Sequence, residues 1–443
     1  MESSIEMFAR DFGGAAKTEP ERFARLVQRL PEDAPPEYVS QIFSAFAEAP
    51  RPDGNPAAGI AAATIESTID SVPLHTERNW AMQFLWLLRK RSDITHSNRV
   101  LNHVISLTKH ADPLATDLCD DAEPFEIENR AINRVRSMAA IVLGGILYDH
   151  QERFELFRPV LEPLLEDPHP AVREAMIEVC LPVWNIDRDL AVRWFLKAVD
   201  NDLRPACSHE AQRFLNHGFG EYTDELSPLI HEMCRSENLK VAEEGAMEAT
   251  ARWLFHGVFS DLVQACRSGT EPQRIGVASV AAEFVRDVQY ADRCWPILLE
   301  LCNDPSSEVR EKASQALHDE RVLGTATSPE SLQTFVGTQA FEDDPDCLID
   351  ALQDHPGSLI PFADLVCDTV TKSIEIIRDP DRKPDRRIPM IDRHLSTVLL
   401  RLYEQAGDTE HAIIRDRCLD MFDELLQYRI ASAKSLLDDL DAS

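Results

Sequence analysis

The sequence predicts an all-α protein, a solenoid of antiparallel helix pairs, and three observations carry that expectation. First, an apolar residue recurs about every 34 positions, at Val172, Cys207, Val241, Ile275 and Val309, followed four positions later by Met176, Ala211, Gly245, Ser279 and Ala313, all small except the first. A chain repeating at this period solves the same burial problem in each copy, as stacked two-helix units do. Second, a turn-forming or capping residue stands five positions before each anchor: Asp167, Asp202, Ser236, Thr270 and Asp304. Such side chains can accept the free N–H groups of a following helix, and Pro168, Pro170, Pro205, Pro272 and Pro305 cluster in the same turns. Third, the preceding segments are apolar at helical spacing, as in Leu156, Val160, Leu161, Leu164 and Leu165, or Trp295, Leu298, Leu299 and Cys302.

Taken in order, Met1 to Arg10 contains acids in place of a basic stretch leading into an apolar run, and no segment of 18 apolar residues follows anywhere, so a soluble cytoplasmic protein is expected. Gly13-Gly14-Ala-Ala-Lys17-Thr18 has the outline of a phosphate-binding loop but lacks the Gly-Lys pair and a preceding buried strand. It reads as a flexible break. Thr18 to Leu30 is predicted helical, capped by the threonine with Pro20 just inside; a turn from Pro31 to Pro36 leads into a second helix over Glu37 to Glu48. His96, His103 and His110 follow at intervals of seven, near one side of a helix. At 1.5 Å rise per residue, neighbours lie roughly 10 Å apart, too far to share a metal ion, and the row reads as a border between core and solvent. Arg130, Arg134 and Arg136 come next, directly after Asp120, Asp121, Glu123, Glu126 and Glu128, acids expected to fold back and neutralise them.

From here the residues resemble a known family. Asp167-Pro-His-Pro-Ala-Val-Arg-Glu and Asp304-Pro-Ser-Ser-Glu-Val-Arg-Glu-Lys-Ala are similar to HEAT repeats, whose inner turn and second helix read Asp-Pro, a short gap, then Val-Arg and a small residue. Val135, Arg136 and Ala139 look like a further copy, so the resemblance covers about residues 128 to 320. Ser208, Ala242 and Gly276 replace the arginine, which puts an unbroken Asp/Arg ladder in doubt for the central units. A second, shorter stretch, Glu19-Pro-Glu-Arg-Phe-Ala-Arg-Leu followed by Pro-Pro-Glu-Tyr-Val-Ser-Gln-Ile, resembles segments in the helical C-terminal regions of bacterial STAND or NACHT-type defence ATPases. That resemblance spans residues 18 to 45 and carries no catalytic motif.

Composition narrows the chemistry. The formal charge of −32 repels polyphosphate backbones, which disfavours general nucleic-acid binding. Ten cysteines with no Cys-x-x-Cys pair read as free buried thiols acting as small hydrophobes. His209-Glu210 and His231-Glu232 lack the second histidine of a zincin helix, no Gly-x-Ser-x-Gly elbow exists, and no carboxylate pair stands out. No catalytic residue, cofactor or metal ligand is therefore assigned. In the last hundred residues, Arg378, Arg382, Lys383, Arg386, Arg387 and Arg393 interleave with Asp379, Asp381, Asp385 and Asp392. This is either a solvated loop or a contact for a phosphate, nucleic acid or acidic partner, since arginine forks suit planar anions.

The organisation expected is an irregular helical section over 1–110, repeats over 128–320 and a longer-helix cap over 329–443. The resemblance implies a non-catalytic protein-interaction scaffold or sensor region, and the shorter match a place in a bacterial defence assembly. The alternative is an enzyme on HEAT-like repeats, of the bilin lyase or DNA alkyl-base glycosylase type. Second helices of HEAT arrays generally line the concave side, so the expected contact row runs beside Arg173, His209, Glu243, Arg274 and Arg310, for another protein as partner. Arg378, Arg382, Lys383, Arg386 and Arg387 form the other candidate contact.

Overall fold

The computed structural model describes residues 4–31, 34–49, 59–94, 96–117, 122–324, 328–378, 388–407 and 411–427, and among these there are 24 α-helices and no β-strand. The chain divides into two compact units, Met1–Leu229 and Ile230–Ser443. That division falls within the stretch read as repeats.

The first unit contains α1 (Ser4–Thr18), α2 (Pro20–Val27), α3 (Pro36–Glu48), α4 (Ala62–Ser71), α5 (Arg78–Lys90), α6 (Asn98–Leu107), α7 (Pro124–Ala131), α8 (Val135–Asp149), α9 (Phe154–Leu161), α10 (Pro170–Trp184), α11 (Arg188–Val199) and α12 (His209–Gly218); α13 (Thr223–Cys234) crosses the division. Helices α1, α3, α5, α8, α10 and α12 pack one on the next, with α7 and α11 against α10. Phe43, Trp80 and Phe84 close the α3–α5 contact, with ring centroids 5.1–5.8 Å apart. On α10 every residue from Pro170 to Val183 except Glu178 is buried, as expected of a helix with neighbours on all sides. Gly144 permits the approach of α8 to α10: a Cβ there would sit 2.9 Å from Val179 Cγ2.

The second unit continues with α14 (Leu239–His256), α15 (Ser260–Arg267), α16 (Glu271–Phe284), α17 (Ala291–Leu301), α18 (Ser307–Ser314), α19 (Ser328–Val336), α20 (Gln339–Asp343), α21 (Asp346–Asp354), α22 (Ala363–Arg378), α23 (Ile388–Ala406) and α24 (Ala412–Gln427). Here α14, α16, α18 and α20 stack in sequence, while α21 packs with the longer α22, α23 and α24 toward the C-terminal end. Gly245 is the small repeat residue for a steric reason, since a Cβ would lie 2.5 Å from the Cys234 amide nitrogen. Val172, Val241, Ile275 and Val309 are all buried.

Several local expectations change. The Gly13–Gly14 pair lies within α1, where a Cβ at Gly13 would meet Gln41 Cβ at 2.9 Å, so the glycine serves close packing on α3. Thr18 ends α1, its hydroxyl donating to the Ala15 carbonyl, and the next helix begins at Pro20 behind Glu19. Cys207 lies half-buried in a short 3-10 turn, and α12 starts two residues later. The nine described cysteines are free thiols, all buried apart from Cys207; position 119 lies outside the described residues. Of the residues expected to cap, only Thr270 is an N-cap, in a capping box with Gln273. Asp167, Ser236 and Asp304 instead accept the amide two residues on, from His169, Asn238 and Ser306, and those residues precede their helices directly. Asp202 accepts the Arg204 amide in the same way. Short acceptor side chains favour this i to i+2 closure wherever the turn stands one residue away from the helix.

Candidate functional site

The repeat turns are tied by a network that begins with the sequence pattern itself. In the first unit Arg136 extends from α8 to Asp167, Nε to Oδ2 at 2.7 Å and Nη2 to Oδ1 at 2.9 Å. Arg173 Nη1 then donates to the Asp167 carbonyl at 2.7 Å, and its Nη2 reaches Asp202 at 3.3 Å. In the second unit Arg274 reaches Asp304 at 2.6 and 3.1 Å, and Arg310 Nη1 donates to the Asp304 carbonyl at 2.7 Å while its Nε reaches Asp343 at 2.6 Å. The interruption expected at Gly276 does not occur, because Arg274, two positions earlier, supplies the guanidinium. Position 276 cannot: a Cβ there would overlap the carbonyl oxygen of Glu243 on α14.

These contacts place the expected row of partner-binding residues. Arg173 is only 6% exposed and directs its donors inward, and Arg274 and Arg310 are half-buried ladder members. Glu243 is half-buried against Lys240 Nζ at 2.7 Å. His209 opens α12 with a side chain 70% exposed, its Nδ1 3.5 Å from Glu210. Arg382, Lys383, Arg386 and Arg387 lie outside the described residues, and Arg378 is described only as the last residue of α22.

Other sequence readings resolve in the first unit. Arg134 pairs with Asp112 at 2.9 Å and Asp117 at 3.6 Å, Arg130 bonds the Asp117 carbonyl, and Arg136 uses Asp167. Carboxylates thus pair with Arg134 and Arg136, from Asp112, Asp117 and Asp167, while the bond shown for Arg130 is to a backbone carbonyl; of the five acids expected to fold back, Asp120 and Asp121 lie outside the described residues. The histidine row does not share one helix: His103 lies in α6 and bonds the His75 carbonyl at 3.1 Å, His110 bonds the Thr76 carbonyl at 2.9 Å, and His96 precedes the cap Ser97. Among the described residues no group of three or more histidine, cysteine or acidic side chains is placed to hold a metal ion, and no helix is long and apolar enough to cross a membrane.

Two surfaces remain on the second helices. In the first unit Glu174 and Glu178, one turn apart on α10, stand near Glu210 of α12. Burial and the neighbouring carboxylates raise the Glu174 pKa well above the usual range, although the Ser208 hydroxyl is bonded to it. In the second unit a groove of about 560 Å³ runs between Ser279 and Glu283 of α16, with Arg286 two residues past its end, and Gln315, His318, Asp319 and Glu320 beyond α18. Arg286 bonds Asp319 at 2.8 Å across it, and Arg321 and Arg286 hold the Asp319 carboxyl far below its ordinary range. Three carboxylates, Glu283, Asp319 and Glu320, stand against the Arg286 guanidinium in the lining and that of Arg321, which also pairs with Asp319, so the groove presents a hydrogen-bonding surface with a small excess of negative charge. The periodicity could not show it, since its members are the polar residues between anchors.

The HEAT repeat family model matches residues 295–319, from α17 through the Asp304 turn and α18 to the 3-10 turn that follows it. No curated protein matches the chain, and no solved structure matches it.

Proposed function

We infer that this chain is a protein-interaction scaffold, and that the groove between α16 and the end of α18 receives a basic segment of its partner. HEAT repeats generally mediate contacts between proteins. The observation that carries the reading is the groove's charge: Glu283, Asp319 and Glu320 line it, and with Asp319 paired to Arg286 and Arg321 the carboxylates of Glu283 and Glu320 remain to face a partner, in a chain of formal charge −32. A partner with lysines or arginines in an extended segment complements that field, and complementarity of this kind sets encounter rate and partner choice. The guanidiniums of Arg274 and Arg310 hold the turns in register, which leaves the exposed positions beside them to form the contact row. On this reading the chain itself performs no catalysis, in contrast to the lyase or glycosylase alternative.

The test is isolation of partners from the native cell, followed by measurement of the purified complex with Glu283→Lys/Gln315→Lys. Both positions are exposed. At least a tenfold loss of affinity, together with weakening by salt in the wild type, supports the reading; binding indifferent to both removes it. The resemblance of residues 18–45 to defence ATPase segments supports placing the scaffold in such an assembly, and an ATPase among the isolated partners is the outcome that reading expects.

A further inference from the structure

The first unit contains a cleft of about 250 Å³ along the C-terminal half of α8, walled by the end of α5 with Ser92, Ile94 and His96 on one side and by Glu178 of α10 on the other. Its floor is apolar: Leu88, Ile94, Ile141, Val142 and Ile146. The opening exists because of Gly145. A Cβ at that position meets nothing within 4 Å, so the side of α8 facing the cleft is bare backbone, whereas the adjacent Gly144 is filled by Val179. Glycine in a helix interior is destabilising by roughly 0.5–1 kcal/mol relative to alanine, and at Gly145 no packing contact requires it.

Two polar groups at the cleft are incomplete. His96 is 92% buried, being 8% exposed, and its Nε2 has no hydrogen-bond partner. Arg89 is held at the rim by Glu178, its Nη2 3.3 Å from Oε1, while its buried Nη1 is likewise unbonded. Buried donors and acceptors without partners are rare, because each forfeits its interaction with water. Burial, with Arg153 and His150 nearby, lowers the His96 pKa to about 4, so the ring is neutral near pH 7.

We propose that this cleft binds a small neutral amide carrying a compact apolar or aromatic body, with the amide bridging Arg89 and His96 and the body on the Leu88–Ile141–Ile146 floor. The guanidinium can only donate, whereas a neutral imidazole nitrogen either donates or accepts according to tautomer. A primary amide satisfies both cases, offering its oxygen to Arg89 and either its oxygen or its N–H to His96. A carboxylate fits less well, since Glu178 already faces Arg89 and Asp149 lies at the same rim. The volume is below that of sites for drug-sized molecules, which limits the ligand to about a single ring with its head group.

Saturation-transfer NMR on the full chain with benzamide, benzoate and toluene tests this. Benzamide is expected to bind in the millimolar range, at least fivefold more tightly than either of the others. Gly145→Leu, which fills the cleft from an exposed position, abolishes binding; Gly145→Ala retains it; His96→Phe weakens it at least threefold. Circular dichroism of each variant matching the wild type separates loss of the site from loss of fold, and the alanine variant and His96→Phe keep the test open should the leucine not fold. Absence of benzamide binding, preference for benzoate, or binding unchanged in both Gly145→Leu and His96→Phe overturns the proposal.

Discussion

Asp304 accepts the Arg274 guanidinium through both carboxylate oxygens, at 2.6 and 3.1 Å, and its Oδ1 also accepts the Ser306 amide at 2.8 Å. Asp167 in the other unit is built the same way, with Arg136 at 2.7 and 2.9 Å and the His169 amide at 2.9 Å. In each case the following arginine, Arg310 or Arg173, binds the backbone carbonyl of that aspartate at 2.7 Å. One side chain thus holds the preceding repeat, its own turn and the start of the next helix.

Removing that node leaves the half-buried Arg274 guanidinium without its counter-ion, bonded only to the Gly269 carbonyl at 2.6 Å, and a turn amide unpaired. Asp304→Ala is expected to lower unfolding stability by about 3 kcal/mol, the range for breaking a buried ion pair from one side. Arg274→Ala and the double variant complete a cycle in which the two effects fall short of additivity by about 0.5–3 kcal/mol. The exposed pair Arg213–Glu210, at 2.7 Å, serves as the control, with an expected change below about 1 kcal/mol. Urea denaturation of the full chain measures all four.

Glycines in helices separate by what surrounds them. Gly276→Ala forces α14 and α16 apart at the Glu243 carbonyl and is expected to destabilise by about 1–3 kcal/mol, as overpacking does. Gly145→Ala meets open space inside α8 and is expected to stabilise by about 0.5–1 kcal/mol. Thermal midpoints moving in opposite directions are the expected result; two shifts of the same sign contradict it.

His169 gives the first unit an acid-sensitive joint. Its Nδ1 accepts the Ala171 amide at 3.2 Å as the N-cap of α10, so a proton on that nitrogen would set donor against donor. Burial lowers its pKa from 6.5 to about 4. The folded state then holds fewer protons than the unfolded one, and this residue's contribution, fully present above pH 6.5, is lost as the pH falls toward 4. The raised pKa of Glu174 acts in the opposite direction, so the comparison is between variants. His169→Asn keeps a capping oxygen and removes the titration. Denaturant midpoints between pH 7 and 4.5 are expected to slope less in the variant, by at most about 1.4 kcal/mol per pH unit.

The all-helical class, the repeat length and the buried anchors Val172, Val241, Ile275 and Val309 were legible because each copy writes them in local pattern: an apolar position, a turn residue five earlier, a proline between. Other features were not. Gly13–Gly14 looked like a break because glycine's tolerance of a helix depends on Gln41, a partner 28 positions away. The acids that pair with Arg134 could not be chosen from sequence order, since Asp112 and Asp117 are no better placed along the chain than Glu123 or Glu126.

The sequence by itself determined which residues must be hidden and how often, because burial of an apolar stripe depends on spacing within one helix. Tertiary structure decided which charges meet and where space remains. Arg274 could replace the missing arginine at 276 only because α14 and α16 cross against Glu243, and Gly145 opens a cleft while Gly144 closes a contact only because α10 passes one side of α8 and not the other. Crossing geometry is a property of two helices together, and neither helix encodes it alone.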